Sequence, residues 1–368
     1  MIKKNSTNLT IFLVLIAILT LIGLVFIYSS SSVYALEKTG SAHYYVKKQL
    51  FGIIFGIILM TLAALMPLSL IKKAAPFLFL AAVFLTALTL IPGIGAVING
   101  SRRWLMLGGF SFQPSELLKM ATLLYLAAFI EKKEYHLTSF THGYLPFLCI
   151  VGLACAVILP QPDFGQTVTL ALTAFIIFFV AVGSIKHLLY TVLPAALGAA
   201  LLIYLKPYRF KRILIFMNPW EDPQGSGFQI IQSLIAIGSG KWMGVGITHS
   251  KQKFFYLPMQ HTDFIFSIIA EETGFIGATT LIFLFILFLF FGCRLAWRMK
   301  STFAHLTTLS FVMLITLQTI INIYVTTGMA PTKGIGLPFI SFGSSAIVCN
   351  LLMVGIIINC FHEDSAFS

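Results

Sequence analysis

Long apolar runs recur along the whole chain, and each is long enough to cross a lipid bilayer as a helix. A transmembrane helix needs roughly 20 apolar residues. Only 10% of the residues are charged and 58% are hydrophobic, whereas soluble domains carry about 25% charged residues. We therefore predict an all-α integral membrane protein, folded as a single polytopic domain over residues 1–368. The predicted spans are about 9–29, 48–67, 75–92, 114–130, 143–160, 165–182, 186–204, 263–291, 305–327 and 338–360.

Lysine and arginine residues form compact clusters in the short loops on one side of the predicted bundle. Short cytoplasmic loops collect such residues, so we place these clusters in the cytoplasm. An even number of spans then puts both termini there, in a multi-pass protein of the cytoplasmic membrane. The clustered cations are Lys3, Lys4, Lys72, Lys73, Lys132, Lys133, Lys186, Arg294, Arg298 and Lys300.

One long segment, about 205–262, matches no span. It is rich in Gly, Pro, Trp and charged residues, and it joins the seventh and eighth predicted spans. With the N-terminus in the cytoplasm, a loop after the seventh span lies outside the cytoplasm, so we predict a large extracytoplasmic loop. Long segments without regular structure in a compact protein are usually functional, so we expect part of the site here.

The polar residues of the chain converge on one face of the predicted bundle. The loops after spans three, five, seven and nine must all reach the same face of the membrane. These loops, with the residues that border them, carry most of the candidate site residues. The candidates are Arg102, Arg103, Gln161, Asp163, Arg209, Arg212, His261, Thr262, Asp263, Lys333 and Ser341.

Charged residues inside two spans extend this set. Glu116 and Lys119 are three residues apart at the start of the fourth span and share one helix face. An ionisable residue within a span is a functional candidate, although these two side chains can instead pair and only fix helix packing. Glu271 and Glu272 lie about 12 Å deeper than Asp263 along a helix, and we expect them to be partners of another span.

Asp163 and Asp263 each stand just before a predicted span, and two interpretations of them stay open. An aspartate at a helix start can cap the helix by accepting hydrogen bonds from its free N–H groups. Thr262 is a rival cap beside Asp263. The other interpretation is a reactive or substrate-binding carboxylate, and the local pattern does not separate the two.

Fixed cations on one face, together with apolar walls, suit a lipid-linked phosphate. Arginine suits phosphate best because its planar group donates two hydrogen bonds at once. Both an enzyme and a transporter handle such a substrate. Transporters usually place polar groups near the bilayer midplane on broken helices. The inner halves of these predicted spans carry few polar residues, which favours an enzyme that works at the membrane surface. A scaffold is a third class, and it predicts that all these charges tolerate replacement.

Several stretches together resemble one known family. The segments "GSRRWLMLGGFSFQPSELLKM", "PQPDFGQT", "YLPMQHTDFIFSIIAEETGFIG" and "APTKGIGLPFISFGSS" closely resemble the shape, elongation, division and sporulation family of bacterial membrane proteins, and they follow the family's order. The segment "NPWEDPQGSG" is similar to the division branch of that family rather than the elongation branch. The resemblance covers nearly the whole chain.

The resemblance implies a peptidoglycan glycosyltransferase with ten spans. Such enzymes polymerise lipid II outside the cytoplasmic membrane, with a class B penicillin-binding protein that crosslinks the strands and with other divisome membrane proteins. The resemblance also implies catalysis by Asp263 and functional roles for Glu116, Lys119, Asp163 and the two arginines after "NGS". A lipid II translocase is the alternative function. No feature points to a nucleic-acid partner.

The expected chemistry needs one base and several cations. Asp263 takes the proton of the acceptor sugar's 4-hydroxyl, and undecaprenyl pyrophosphate leaves without a proton because cations meet its charge. The cysteines and histidines show no metal-ligand spacing, so no metal held by side chains alone is expected. Mg²⁺ or Mn²⁺ held partly by the pyrophosphate stays open, since magnesium needs only one or two protein carboxylates. The cations expected at the leaving group are Arg102, Arg103, Lys119 and Lys333, followed by Arg209 and Arg212.

Overall fold

The computed structural model describes residues 2–98, 101–107, 110–183, 186, 190, 197–198, 204, 215–225, 227–253, 260–332 and 334–366. Within these ranges the chain forms ten α-helices and one small sheet, apart from single turns of other helical types. The helices are α1 (Ile2–Thr39), α2 (Tyr44–Leu65), α3 (Leu68–Leu88), α4 (Pro114–Lys132), α5 (Leu145–Ile158), α6 (Phe164–Val182), α7 (Phe228–Ser239), α8 (Ile265–Ala296), α9 (Thr302–Thr326) and α10 (Ser344–Ala366).

Most of the predicted spans are confirmed as helices. Eight described helices are long and apolar enough to cross a membrane, namely α1, α2, α3, α5 with the turn before it, α6, α8, α9 and α10. The fourth predicted span is α4, which is helical but carries Glu116, Lys119 and Glu131. The seventh predicted span, 186–204, lies mostly outside the described residues. The chain is therefore a multi-pass membrane protein, and the count of ten spans stays a prediction.

Two helices differ from their predicted bounds at one end of the bundle. The first predicted span ends at residue 29, but α1 continues to Thr39. Ser29, Ser30 and Ser31 are buried, and Ser29 Oγ donates to Glu272 Oε1 at 2.6 Å, whereas residues 36–39 are exposed. The last predicted span begins near residue 338, but α10 begins at Ser344. The residues before it form a loop that packs on α2, where Gly343 N donates to Gln49 Oε1 at 3.1 Å.

α4 lies at the centre of the bundle. It packs against α3, α5, α6, α9 and α10, and most of its side chains are buried. Pro114 stands at its first turn, which suits a helix start because the N–H that proline lacks has no helical partner there. The helix therefore carries Glu116 and Lys119 into the protein interior rather than toward lipid.

A three-stranded antiparallel sheet lies between α3 and α4, and the all-α prediction did not include it. Its strands are β1 (Gly95–Ile98), β2 (Ser101–Leu107) and β3 (Phe110–Phe112), in the order β1-β2-β3. Successive side chains of a strand point to opposite faces, so Arg102 and Arg103 in β2 are separated. Arg102 is exposed and Arg103 is partly buried.

Part of the long predicted loop packs into the bundle, while other described residues of it, such as Met217, Trp220 and Trp242, are exposed. α7 buries Ile230 and Ala236 and packs against α8. The segment 240–253 follows and meets α8 where Gly274 breaks the helix with a φ of 68°. A Cβ on Gly274 would lie 2.3 Å from the backbone nitrogen of Gly244, so only glycine fits there.

Candidate active site

The small sheet places Arg103 against the loop that leads into α6. Arg103 Nε donates to the carbonyl oxygen of Gln161 at 2.8 Å, and its Nη2 donates to that of Pro162 at 2.9 Å. The side chain of Gln161 turns away toward α3, where its Nε2 donates to Thr89 Oγ1 at 2.6 Å. The structure therefore makes Gln161 a support for this loop, and Arg103 is the arginine that reaches the site.

Asp163 has two partners, one for each carboxylate oxygen. Its Oδ1 caps α6 by accepting from the backbone N–H of Gln166 at 3.2 Å. Its Oδ2 lies 3.0 Å from Arg103 Nη1, and the side chain is 2% exposed. Burial raises the pKa of Asp163 even though Arg103 and the Gln166 N–H lower it. The capping interpretation of Asp163 is confirmed, and its role toward a substrate stays a prediction.

Asp263 is not a helix cap in the described structure. The N-cap of α8 is Phe264, and no side chain caps this helix. A Cβ built on Gly334 would lie 3.5 Å from Arg103 Nη1 and 3.7 Å from Asp263 Oδ2. Arg103 and Asp263 therefore lie against the same point of the last predicted outer loop, and the residue between them has no side chain.

The surroundings of Asp263 raise its pKa to about 7. Burial is the main cause, the negative charge of Asp163 adds to it, and Arg103 opposes both. A group with a pKa close to neutral exchanges protons readily at neutral pH. Perturbed pKa values are typical of functional sites, which favours the reactive interpretation of Asp263.

Glu116 and Lys119 form a buried ion pair that connects to Asp163. Lys119 Nζ lies 3.0 Å from Glu116 Oε1, and Lys119 is 1% exposed. The same Glu116 oxygen accepts from Gln166 Nε2 at 2.9 Å. A buried ion pair needs such extra hydrogen bonds because leaving water is costly for both charges. We call Arg103, Glu116, Lys119, Asp163 and Asp263 the acid–base cluster.

His261, Thr262 and Ser341 surround the backbone at Asp263. The ring of His261 packs on Tyr45 with ring centres 4.4 Å apart. Burial lowers the pKa of His261 to about 4, so the imidazole is neutral at neutral pH. Ser341 Oγ donates to the carbonyl oxygen of Thr262 at 2.6 Å and accepts from Leu337 N at 2.7 Å.

Glu271 and Glu272 form a separate group with matched partners. Glu272 accepts from Ser29 Oγ at 2.6 and 2.7 Å and lies 3.6 Å from Lys253 Nζ. Glu271 accepts from Ser250 Oγ and from the backbone N–H of Lys251. The expectation that Glu272 contacts another span is confirmed by Ser29 in α1, whereas Glu271 contacts the 240–253 segment. We call Ser29, Ser250, Lys253, Glu271 and Glu272 the glutamate cluster.

The structure brings together the candidates from three predicted outer loops and the start of α4. Three other candidates, Arg209, Arg212 and Lys333, lie outside the described residues. Gln166, Asn322 and Gly334 were not among the candidates, although all three contact the site. A signal existed for the first two, because an amide within an apolar run needs a partner. The signal for Gly334 was its place between Pro331 and Pro338, which is typical of a rigid loop whose backbone comes close to other groups.

The donor set also limits how a metal can bind. Among the described residues, no group of three or more His, Cys, Asp or Glu side chains is arranged to hold a metal ion. Asp163 is the carboxylate that pairs with Arg103 in the acid–base cluster. Oxygen ligands of this kind suit Mg²⁺ or Mn²⁺, but the substrate would have to supply further ligands.

A bundle of apolar helices with a buried acid–base cluster at one end defines a multi-pass membrane protein with an enzyme-like site. The family model described as "Cell cycle protein" (FtsW, RodA and SpoVE) matches residues 9–366. The chain belongs to this family, which confirms the predicted resemblance.

Proteins of known sequence and structure are similar over nearly the whole chain. The "Stage V sporulation protein E" of Bacillus subtilis is 41% identical over 97% of each chain. The "Probable peptidoglycan glycosyltransferase FtsW" of Geobacter sp. (strain M18) is 40% identical over 95% of each chain. A chain from a solved "peptidoglycan synthase complex" has a TM-score of 0.80 and 29% identity, over 96% of this chain and 97% of that one.

Proposed function

We propose that this peptidoglycan glycosyltransferase polymerises lipid II at the outer face of the cytoplasmic membrane during cell division, with Asp263 as general base. The observation that carries the proposal is the placement of Asp263, partly buried beside Arg103 with a pKa of about 7. A general base is most effective when its pKa lies near the working pH. The family and the names of the similar proteins support the reaction class.

In the proposed reaction, Asp263 takes the proton from the 4-hydroxyl of the acceptor sugar while that oxygen bonds to C1 of the donor sugar. The bond from C1 to the pyrophosphate oxygen breaks, and undecaprenyl pyrophosphate leaves with the electron pair, so the configuration at C1 inverts. Arg103 meets the growing negative charge on the leaving group. A second carboxyl group that protonates the leaving oxygen, as in glycoside hydrolysis, is therefore not needed.

The test is polymerisation of purified lipid II in liposomes, with the partner enzyme, by wild type and Asp263→Asn. We expect long glycan strands from wild type and a loss of about 100- to 10,000-fold from the variant, the usual contribution of a positioned base. Glu37→Gln is the matched control, because Glu37 is an exposed carboxylate near the end of α1. A folded Asp263→Asn protein with normal turnover would contradict the assignment.

A lipid II translocase is the second candidate function, and one feature of α8 favours it. The helix is broken at Gly274, next to the buried Glu271 and Glu272. Broken helices with buried polar groups are typical of transporters. A translocase predicts that liposomes containing the protein move lipid II across the membrane, and that Glu272→Gln impairs this movement more than Asp263→Asn does.

We also propose a class B penicillin-binding protein as the crosslinking partner, together with other divisome membrane proteins. The structurally similar chain comes from a complex that coordinates polymerization and crosslinking, which supports a partner of this kind. Co-purification of the two full-length membrane proteins in mild detergent tests the pairing. Recovery of each protein alone, with no gain in polymerisation on mixing, would count against it.

A divalent cation, Mg²⁺ or Mn²⁺, is proposed as a cofactor that binds together with the pyrophosphate. Asp163, together with oxygens of the pyrophosphate, fits this role because magnesium needs only one or two protein carboxylates and keeps several waters. The cation would supply positive charge at the leaving group. Chelation should abolish polymerisation, and added Mg²⁺ or Mn²⁺ should restore it, whereas unchanged activity after chelation would remove the cation from the mechanism.

The proposed orientation places both termini in the cytoplasm and the acid–base cluster at the outer face. The described cytoplasmic candidates Lys72 and Glu131 pair between α3 and α4, at the opposite ends of these helices from the sheet. Reporter fusions at both termini test the orientation. A periplasmic signal from either end would reverse it.

A further inference from the structure

One buried amide joins the two segments that meet at Asp263. Asn322 lies near the end of α9 and is 1% exposed. Its Nδ2 donates to the backbone carbonyl oxygen of Asp263 at 2.8 Å and to that of Ile335 at 2.8 Å. The first acceptor belongs to the segment before α8, and the second belongs to the loop before α10. A single side chain therefore fixes how these two segments lie relative to each other.

A second side chain makes a parallel connection one residue away. Ser341 Oγ donates to the carbonyl oxygen of Thr262 and accepts from the N–H of Leu337. Together, the amide and the hydroxyl hold the 262–263 segment against the 335–337 segment. Gly334 precedes the second of these segments and lies between Arg103 and Asp263. The two connections thus set the geometry at the point where the base and the cation meet.

The bonding pattern requires a donor pair at this position. A buried carbonyl oxygen without a partner costs about 1–3 kcal/mol, and the two oxygens at Asn322 point at one atom. An amide nitrogen carries two N–H donors, so it can serve both. Within the described parts of the chain, Asn322 Oδ1 has no hydrogen-bond partner, which leaves the two donor bonds to hold the side chain.

We propose that Asn322 is a positioning residue, which holds the main chain of Asp263 so that its carboxylate stays buried beside Arg103. The inference rests on the proposed role of Asp263 as the base. Asn322 itself has no role in proton transfer. Its effect on the reaction comes entirely through the backbone bond to Asp263 and the bond that fixes the neighbouring loop.

Two measurements separate a residue that positions Asp263 from one that only stabilises the fold. They are the pH dependence of the rate and whether a substitution changes kcat or KM. Burial is the main cause of the raised pKa of Asp263. Release of its backbone would admit water and bring the pKa down toward its ordinary value. The acidic limb of the rate profile should therefore move to lower pH. KM should stay within about twofold while kcat falls, because a misplaced base can cost on the order of 100-fold.

The experiment compares wild type, Asn322→Ala, Thr319→Val and Asp263→Asn in lipid II polymerisation over a range of pH. Thr319 is a matched control, because it is buried on the same helix and its hydroxyl donates to Ile315 O of that helix, at 3.0 Å. We expect Asn322→Ala to lower kcat 10- to 100-fold, on the scale of a misplaced catalytic group, with the shifted acidic limb. Thr319→Val should behave like wild type.

Ser341→Ala keeps the test decisive if Asn322→Ala does not fold. It removes only the parallel connection, so a smaller loss of kcat with a shift of the same sign is expected. Wild-type kcat and pH profile in either folded variant would overturn the positioning role, as would a rise in KM with kcat unchanged. Turnover by Asp263→Asn would overturn both this inference and the proposed function, whereas an inactive Asp263→Asn beside a normal Asn322→Ala would overturn the inference alone.

Discussion

The acid–base cluster and the glutamate cluster both contain buried carboxylates, but the chain treats the two sets of charges differently. In the glutamate cluster, Glu271 and Glu272 accept hydrogen bonds from hydroxyl and N–H donors and lie beside Lys253. In the acid–base cluster, burial and a second carboxylate raise the pKa of Asp263 to about 7. The carboxylates of the glutamate cluster are met by hydrogen-bond donors and, at Glu272, by Lys253, whereas the carboxylate proposed as the base has a pKa near neutral.

The largest expected difference is in activity, and it comes from neutralising one carboxylate in each cluster. Asp263→Asn should reduce polymerisation by at least about 100-fold, because a base is removed. Glu272→Gln should retain most of the activity per folded molecule, since Glu272 contacts Ser29 and Lys253 rather than the proposed reacting atoms. Polymerisation rates of wild type and both variants, measured on purified and monodisperse protein, test this prediction. Equal losses in the two variants would remove the distinction between the clusters.

Stability should show the reverse order. Glu272→Gln removes the carboxylate that lies 3.6 Å from the buried Lys253, and breaking a buried ion pair costs about 3–5 kcal/mol. Asp263→Asn should leave the unfolding temperature near that of wild type, because it relieves the burial of a charge. Thermal unfolding in detergent, followed by intrinsic fluorescence, measures both. A more stable Glu272→Gln variant would show that the glutamate cluster is not structural.

The pH dependence offers a finer test of the acid–base cluster. Asp263 must be deprotonated to act as a base, so the rate should fall as the pH drops below about 7, its raised pKa. The charge of Asp163 contributes to that raised pKa. Asp163→Asn should therefore lower the pKa of Asp263 and move the acidic limb to lower pH, in addition to any loss of rate. A limb that moves to higher pH would contradict the proposed coupling.

The smallest effect is expected from the hydroxyl that joins α1 to the glutamate cluster. Ser29→Ala removes the donor to both oxygens of Glu272, and a hydrogen bond to a charged group contributes about 1.5–3 kcal/mol. We expect a lower unfolding temperature with unchanged polymerisation at neutral pH. Ser31→Ala is the control, because the hydroxyl of Ser31 is buried and donates to Ile27 O within α1. If the two substitutions lower the unfolding temperature equally, the hydrogen bond to Glu272 adds no stability beyond that of an ordinary buried hydroxyl.

Much of the candidate site could be predicted because the order of the loops and the positions of the charged residues can be read directly from the sequence. The alternation of spans brought Asp163, Asp263 and Arg103 to one face, and the structure places them together. The spacing of Glu116 and Lys119 predicted a shared helix face, and the ion pair confirms it. The amide of Gln161 donates to Thr89 at the end of α3, and its predicted contact with the substrate stays a prediction.

Other parts of the site depend on contacts between distant segments, and no local pattern reports them. The break of α8 at Gly274 exists because the 240–253 segment approaches the helix backbone there. The small sheet that separates Arg102 from Arg103 was equally absent from the apolar pattern. Asn322 is an intermediate case, because an amide in an apolar span indicates that a partner exists, but the sequence does not show which of several neighbours it is.

By itself, the sequence determined that the chain crosses the membrane several times and that its polar residues meet at one end. The physical reason is that apolar runs of this length have to be buried in lipid, and each run reverses the direction of the chain. Only the tertiary structure decided which carboxylate acts as a cap, which is matched by donors and which has a pKa near 7. Those outcomes depend on burial and on charges from other segments, and folding alone brings these segments within contact distance.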